Sequence, residues 1–345
     1  MASVATLDEA RIDAFFDQLV EELGATIGAA LVVIGDKLGL YRSMALSGAV
    51  TPGELAEHTG TSERYVREWL GAQAAAGHVE YDPDERTYTL PPEHAYVLAN
   101  ENSPYYVGGE PMIREAFRSG AGVGWHEHSQ GVFEGCERFH RSVYAANLVS
   151  SWILALEDVE RKLHSGATVA DVGCGHGAST ILMANAYPSS RFVGFDYHGE
   201  SIATARIRAA EAGLNGRVRF DVAPAAEYPG WGYDLVCTFD CLHAMGDPVG
   251  AARHVRESLH PEGTWLIVEP VAGDRVEDNL DPIGRIHYGV STLLSTPASL
   301  AQEVGLALGA QAGESRLRAV AASGGFTRFR RVAETPFSLV FEARP

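Results

Sequence analysis

The chain has 345 residues with 46% hydrophobic and 9% aromatic content, enough for two domains with a sizeable core and too apolar for a disordered chain. Its formal net charge of −18 argues against a partner built on a phosphate backbone. No apolar run reaches the ~18 residues of a membrane span, and the start of the chain, with Asp8, Glu9, Asp13 and Asp17, lacks the basic character of a signal peptide.

Residues 7–45 read as two helices. Ile12, Phe15, Phe16, Leu19, Val20 and Leu23 recur at helical spacing, and Ile27, Leu31, Ile34, Leu38 and Leu40 continue the pattern after Gly24. This pair serves either as a dimer surface or as an intrachain core. Thr51, Pro52 and Glu54 form a capping box that opens a helix to His58, stopped by Gly60. Thr61 or Ser62 caps a second helix, Glu63 to Ala76, ended by Gly77. His78–Tyr81 and Arg86–Leu90 make a hairpin about Asp82-Pro83-Asp84-Glu85. Helix, turn, helix and hairpin describe a winged helix, whose obvious use is reading DNA. Charge speaks against that use. Residues 1–100 carry 6 Lys/Arg against 16 Asp/Glu, a net of −10, and Glu63 and Glu68 cancel Arg64 and Arg67 on the second helix. A domain over 1–100 turned to dimerisation and to closing a pocket is the expectation, with neither nucleic acid nor membrane as partner.

Residues 101–165 read as a helical connector lining the pocket, with a loop at Ser103–Gly109, a short helix at Met112–Arg118 and a turn to Gly124. His126 and His128 read as surface polar residues, because one His-x-His without a third ligand is a weak metal pattern; lining the pocket is the other use open to them. No metal is expected. Cys136, Cys174, Cys237 and Cys241 show no metal-type spacing, and Cys237 and Cys241 on one strand would stand about 13 Å apart at ~3.3 Å per residue, too far for a disulfide. A reducing cytoplasm is the expected compartment.

From Ala167 a short buried strand runs into a loop with glycines at 173, 175 and 177 and then into a helix from Ser179. Glycine permits the turn and lets a ligand touch the backbone. The loop amides and the helix N-terminus would offer donors to an anionic ligand group. Gly173-x-Gly175-x-x-Ala178 also fits the dinucleotide fingerprint. Arg191–Tyr197 reads as the second strand, with Asp196 placed to accept both ribose hydroxyls. A helix over 201–212 and strands over 217–223, 233–240 and 263–269, with a helix over 249–259 before the last, continue the alternation. The pattern means a parallel doubly wound sheet over 166–345. Strands at 326–332 and 337–342 end the chain as a hairpin. The acids Asp274, Glu277, Asp278 and Asp281, ahead of His287 and Tyr288, read as a solvated loop rather than a metal site.

The run Val169-Ala170-Asp171-Val172-Gly173-Cys174-Gly175-His176-Gly177 resembles the first motif of class I S-adenosylmethionine (SAM)-dependent methyltransferases. The hairpin closing a parallel sheet is similar to that fold and unlike the nicotinamide one. With its winged-helix front end, the whole chain resembles bacterial winged-helix-containing small-molecule methyltransferases, relatives of plant-type O-methyltransferases. The resemblance implies an α/β, Rossmann-like class I methyltransferase sheet behind a mainly helical winged-helix domain. It also implies SAM as cofactor, a small-molecule acceptor methylated on oxygen or nitrogen, and a homodimer. Asp171, Gly173 and Gly175 would hold the amino-acid end of SAM, with Cys174 in the same loop; Asp196 would hold the ribose and Tyr197 pack on the adenine side. Where the family often has an acid after the third strand, this chain has Pro224, Ala225 and Ala226, so Ala225 and backbone groups would hold the adenine. Asp240, ending the fourth strand, joins the cofactor set. His243 matches the catalytic His of a Leu-His-Asp-Trp-type run, while Ala244 and Met245 depart from it. A His suits removal of a hydroxyl proton near neutrality; its other reading is a floor residue bonded to the backbone. The rival functions are a nicotinamide-dependent oxidoreductase and a winged-helix regulator that senses a nucleoside.

Overall fold

The computed structural model describes residues 8–99, 111–128 and 130–345, so the loop expected at 103–109 lies outside the described residues. The chain forms two compact units, one of residues 1–121 and 275–297, the other of 122–274 and 298–345.

The first unit begins with one helix, Glu9–Leu38, capped by the Asp8 side chain, which accepts from the Arg11 amide. The division expected at Gly24 is not there. A Cβ at Gly24 would stand 3.3 Å from Cδ of Arg285, so the glycine serves close packing against the helix Pro282–Val290. The break falls at Gly39, whose left-handed backbone (φ 73°) ends this helix and starts the next, Leu40–Ser47. By length and composition the first helix could cross a membrane: its best window has a mean hydropathy of 1.4, which a search for unbroken apolar runs misses. The same window is 44% buried, and its inner turns are core. Trp69 Nε1 donates to the Leu31 carbonyl at 2.9 Å, and Leu31, Val32 and Ile34 are fully buried.

The winged-helix expectation holds in its parts. Thr51 and Glu54 exchange the bonds of the capping box at the head of Pro52–Thr59, Glu63–Ala75 follows, and strands β1 (Glu80–Asp82) and β2 (Thr87–Thr89) pair antiparallel. Arg64 pairs with Glu68 at 2.7 Å and Arg67 with Glu63 at 2.5 Å, so both cations of this helix are met by acids one turn away. The helix Pro282–Val290 completes the unit, its Tyr288 ring packed where a Cβ on Gly71 would stand 2.6 Å from Cε1.

The second unit is built on a sheet of seven strands. In chain order these are β3 (Thr168–Val172), β4 (Arg191–Asp196), β5 (Val218–Val222), β6 (Tyr233–Phe239), β7 (Leu259–Pro270), β8 (Arg328–Glu334) and β9 (Ser338–Arg344). Their spatial order is β5-β4-β3-β6-β7-β9-β8, with the first five parallel and the last two antiparallel. Val169, Ala170 and Val172 are buried whichever way they point, because apolar clusters cover both faces of the sheet. The order reverses between β3 and β6, and crevices at such reversals, beyond the strands' carboxyl ends, are where ligands sit. All four cysteines are free; Cys237 lies in β6, but Cys241 lies beyond its end rather than on the same strand.

Inside the sheet, the fully buried Trp265 of β7 donates from Nε1 to Oγ1 of Thr238 in β6 at 3.1 Å. Thr238→Val keeps the shape and removes the acceptor. It should lower stability by about 1–3 kcal/mol in urea denaturation, while Thr238→Ser, which keeps the hydroxyl, should escape most of that loss.

Candidate active site

The carboxyl ends of β3, β4, β6 and β7 each carry an acid. Asp171 of β3 is fully buried. Its Oδ2 accepts from Ser179 Oγ at 2.6 Å and Thr180 Oγ1 at 2.5 Å, while its buried Oδ1 has no partner among the described residues. Burial pushes this carboxyl up to about 6, against the pull of the two hydroxyls. The helix Ala178–Ala186 therefore starts against an anion that belongs to the chain itself.

The glycine loop is correspondingly self-contained. The amides of Gly173 and Cys174 donate to the Phe195 carbonyl at 2.7 and 3.0 Å, Gly175 to Oδ2 of Asp196 at 2.9 Å, and Gly177 to the Cys174 carbonyl at 2.8 Å. This corrects the expectation that the loop amides await an anionic ligand group: four of them satisfy neighbouring acceptors that would otherwise be stranded at the strand ends. The glycines remain necessary for room. A Cβ on Gly173 would lie 2.7 Å from Sγ of Cys241, whereas no atom of the described residues stands within 4 Å of the Cβ position of Gly175, so they leave the loop open on that side.

Asp196 ends β4 and is largely enclosed. Its Oδ1 accepts from the His198 amide at 2.8 Å, and burial raises its carboxyl while the two amides lower it. Beside it the ends of β4 and β5 are apolar and bare: Tyr197 is 44% and Val222 55% exposed, and Val222 pairs with Asp196 in register. Ala225 is half-buried against the core beneath β5. Behind the strand end, Trp125, Phe133 and His198 form a chain of ring contacts at 5.1 and 4.9 Å.

At the end of β6, Asp240 takes a left-handed backbone (φ 50°), a strained conformation for a residue with a side chain. Its Oδ2 accepts from the Tyr144 hydroxyl at 2.8 Å, with His140 Nε2 at 3.8 Å. The turn that follows is held by Glu269 of β7. Glu269 Oε1 accepts from the amides of Cys241 and Leu242 at 3.2 and 2.9 Å; Oε2 accepts from the amide of His243 at 3.2 Å and bonds its Nδ1 at 2.6 Å. A carboxylate only accepts, so Nδ1 carries the proton and the ring's lone pair is on Nε2. The His243 ring is thus tied to a buried acid.

Asp171, Asp196, Asp240 and Glu269 together raise the thiol of Cys241, which burial already pushes well up. Among the described residues no group of His, Cys, Asp and Glu is arranged to hold a metal. His126 is exposed, and Tyr288 packs within the first unit. Sequence reasoning missed Ser179, Thr180, Tyr144, Val222 and Glu269. Only the hydroxyl pair directly behind the loop and the acid ending a strand beside β6 gave any sign.

A group with a cationic centre, a diol and an apolar ring fits this set: a buried carboxylate oxygen unpartnered among the described residues, a carboxylate held by amides, and exposed apolar strand ends beside it. Known proteins point the same way. Residues 163–302 match a methyltransferase domain family and residues 25–100 an Rv2258c-like winged HTH domain. The chain is 30% identical over 140 residues to 27-O-demethylrifamycin SV methyltransferase of Amycolatopsis mediterranei, covering 39% of this chain and 50% of that one. It is 32% identical over 105 residues to trans-aconitate 2-methyltransferase of Streptomyces avermitilis, covering 30% and 39%. The chain thus spans half or less of these relatives. In fold it is similar to an O-methyltransferase family 2 protein from Planctomyces limnophilus, solved with apigenin: TM-score 0.65, 16% identity, 95% of each chain covered.

The raised carboxyl of Asp171 has a consequence for stability. The folded state holds this proton more tightly than the unfolded chain, whose ordinary value is 3.8, so the group favours folding most below that value. The advantage is lost as pH rises from about 3.8 to about 6, on the order of 3 kcal/mol in all. Unfolding free energies of the wild type and Asp171→Asn at pH 4 and pH 7 should differ in this sense, the wild type losing ground to the variant as pH rises.

Proposed function

We infer that the chain, a winged helix-turn-helix domain joined to a class I methyltransferase domain, transfers a methyl group from SAM to a small-molecule acceptor. The observation that carries the reading is the set of four carboxylates around the turn at Cys241, with the glycine-loop amides already engaged. A dinucleotide would bring a pyrophosphate anion to acids and to used-up donors; a sulfonium cation would be attracted by those same acids. SAM when bound supplies an activated methyl group.

The residues divide the work by chemistry. Asp196 keeps lone pairs beyond its two amide bonds and would accept the ribose hydroxyls. Asp171, with its Oδ1 unpartnered among the described residues, and Asp240, fixed by Tyr144, would face the cationic amino-acid end, beside Gly173, Cys174 and Gly175. Tyr197, Val222 and Ala225 would pack the adenine, which explains how a chain with Pro224 in place of an acid can hold it. His243 would take the acceptor's proton at Nε2. Glu269 is a positioning residue that fixes the tautomer and stabilises the imidazolium formed. The winged helix, whose Arg64 and Arg67 are already paired, fits dimerisation better than DNA. The reading includes a homodimer, a cytoplasmic setting, and the division into 1–100, 101–165 and 166–345.

Calorimetry on the pure protein should give binding heat with SAM and none with NADH, and Asp196→Ala should weaken SAM by about 1.5–3 kcal/mol, the worth of bonds to a charged acceptor. NADH binding without SAM binding overturns the cofactor assignment. His243→Ala should lower turnover on a hydroxyl acceptor by about 10²–10⁴ with SAM affinity kept. Glu269→Gln should lower turnover in the same sense and shift the pH profile. Joint collapse of turnover and SAM affinity in His243→Ala would make the ring a piece of the cofactor floor.

A further inference from the structure

The turn after β6 is held by more than Glu269. That acid takes the amides of Cys241, Leu242 and His243, whereas the carbonyls that follow are taken by another stretch of the second unit, residues 299–309. The side-chain amide of Gln302 spans the turn. Its Nε2 donates to the carbonyls of Ala244 at 3.0 Å and Ala298 at 2.9 Å, and its Oε1 accepts from the Gly246 amide at 3.2 Å. Ser299 Oγ donates to the Met245 carbonyl at 2.7 Å and accepts from the Ala307 amide at 3.0 Å. The amides of Leu306 and Gly309 donate to the carbonyls of Gly246 and His243 at 2.9 and 3.3 Å. Each backbone carbonyl from His243 to Gly246 is thus answered by this one segment.

The segment accepts strain to reach them. Val304 and Ala307 take left-handed backbones, φ 70° and 49°, and a β-branched residue there is an outlier. Val304 is 71% exposed, so the conformation does not serve to bury its side chain. Strain of this kind persists where the surroundings over-determine it, and it gathers around functional groups. Here it folds the chain back so that the amides of Leu306, Ala307 and Gly309 all meet acceptors. The fit is close, since a Cβ on Gly246 would lie 2.4 Å from Cβ of Gln302. Glutamine suits its place: only a side-chain amide donates and accepts from one rigid plane. A base needs this second hold. One bond at Nδ1 sets the tautomer of His243 but lets the ring move with its backbone, and a displacement of about 1 Å can cost a reaction on the order of a hundredfold.

We propose that Gln302 and Ser299 are positioning residues that fix the His243 ring through the backbone of its turn. This rests on the reading of His243 as the base. Ring-nitrogen NMR of the full chain with saturating SAM, with His243 assigned by its loss in His243→Ala, should show Nδ1 protonated and Nε2 bare. Gln302→Met, which keeps the length and removes the bonds, and Ser299→Ala should each turn that signature toward a mixture of tautomers. Both should speed hydrogen exchange at the Gly246 and Leu306 amides about tenfold or more, with SAM affinity and helicity kept. Ser299→Thr, which retains the hydroxyl, should stay near wild type. Ring signals and exchange unchanged in both Gln302→Met and Ser299→Ala overturn the positioning role and leave the base standing. Loss of SAM affinity in His243→Ala, read by calorimetry, overturns the base and the positioning role with it.

Discussion

Carrying several carboxylates out of water at one end of a sheet is the constraint to which the second unit answers. Each such group costs several kcal/mol unless donors replace the water it leaves. The donors come from different levels of structure: hydroxyls of the first helical turn for Asp171, backbone amides for Asp196, a tyrosine for Asp240, and three consecutive amides with a ring nitrogen for Glu269. Parallel strands with a shared polarity make this possible, because all the acids then finish at the same edge. The tight loop after β3 follows from the same need, since it turns Gly175 toward the end of β4.

The elements of this arrangement were legible to different degrees. Strand, glycine loop and helix announce themselves because β3 is short, apolar and followed by three glycines, and Asp196 is found by counting to the next strand. Where the loop amides point could not be read, because their acceptors, Phe195 and Asp196, lie more than twenty residues on. Glu269 escaped for a similar reason: its partner His243 is 26 residues away, and only β6 lying beside β7 brings them together. Gly24 misled because a glycine within a helical pattern marks a stop or a close neighbour equally well, and the neighbour, Arg285, is remote in sequence.

The winged helix shows how a shape can be kept while the cations of its second helix pair with that helix's own acids. Capping box, glycine stops and hairpin are all in place, and they are local features that a sequence displays plainly. The helix that would enter a groove nevertheless turns its arginines back onto its own glutamates. A short motif can thus specify a fold without specifying what the fold touches.

The chain passes from the second unit to the first and back again between residues 274 and 298. The first unit is therefore discontinuous, and its closing piece, the helix Pro282–Val290, is made only after four-fifths of the chain has been synthesised. Until then Gly71 has no Tyr288 against it, and the inner face of Glu63–Ala75 waits on a segment more than two hundred residues downstream. The winged helix cannot finish folding on the ribosome before the sheet that follows it has largely emerged. Neither unit can be released intact by a single cut, because a fragment ending near 121 lacks a wall of its core and one beginning there carries that wall as a bare apolar tongue.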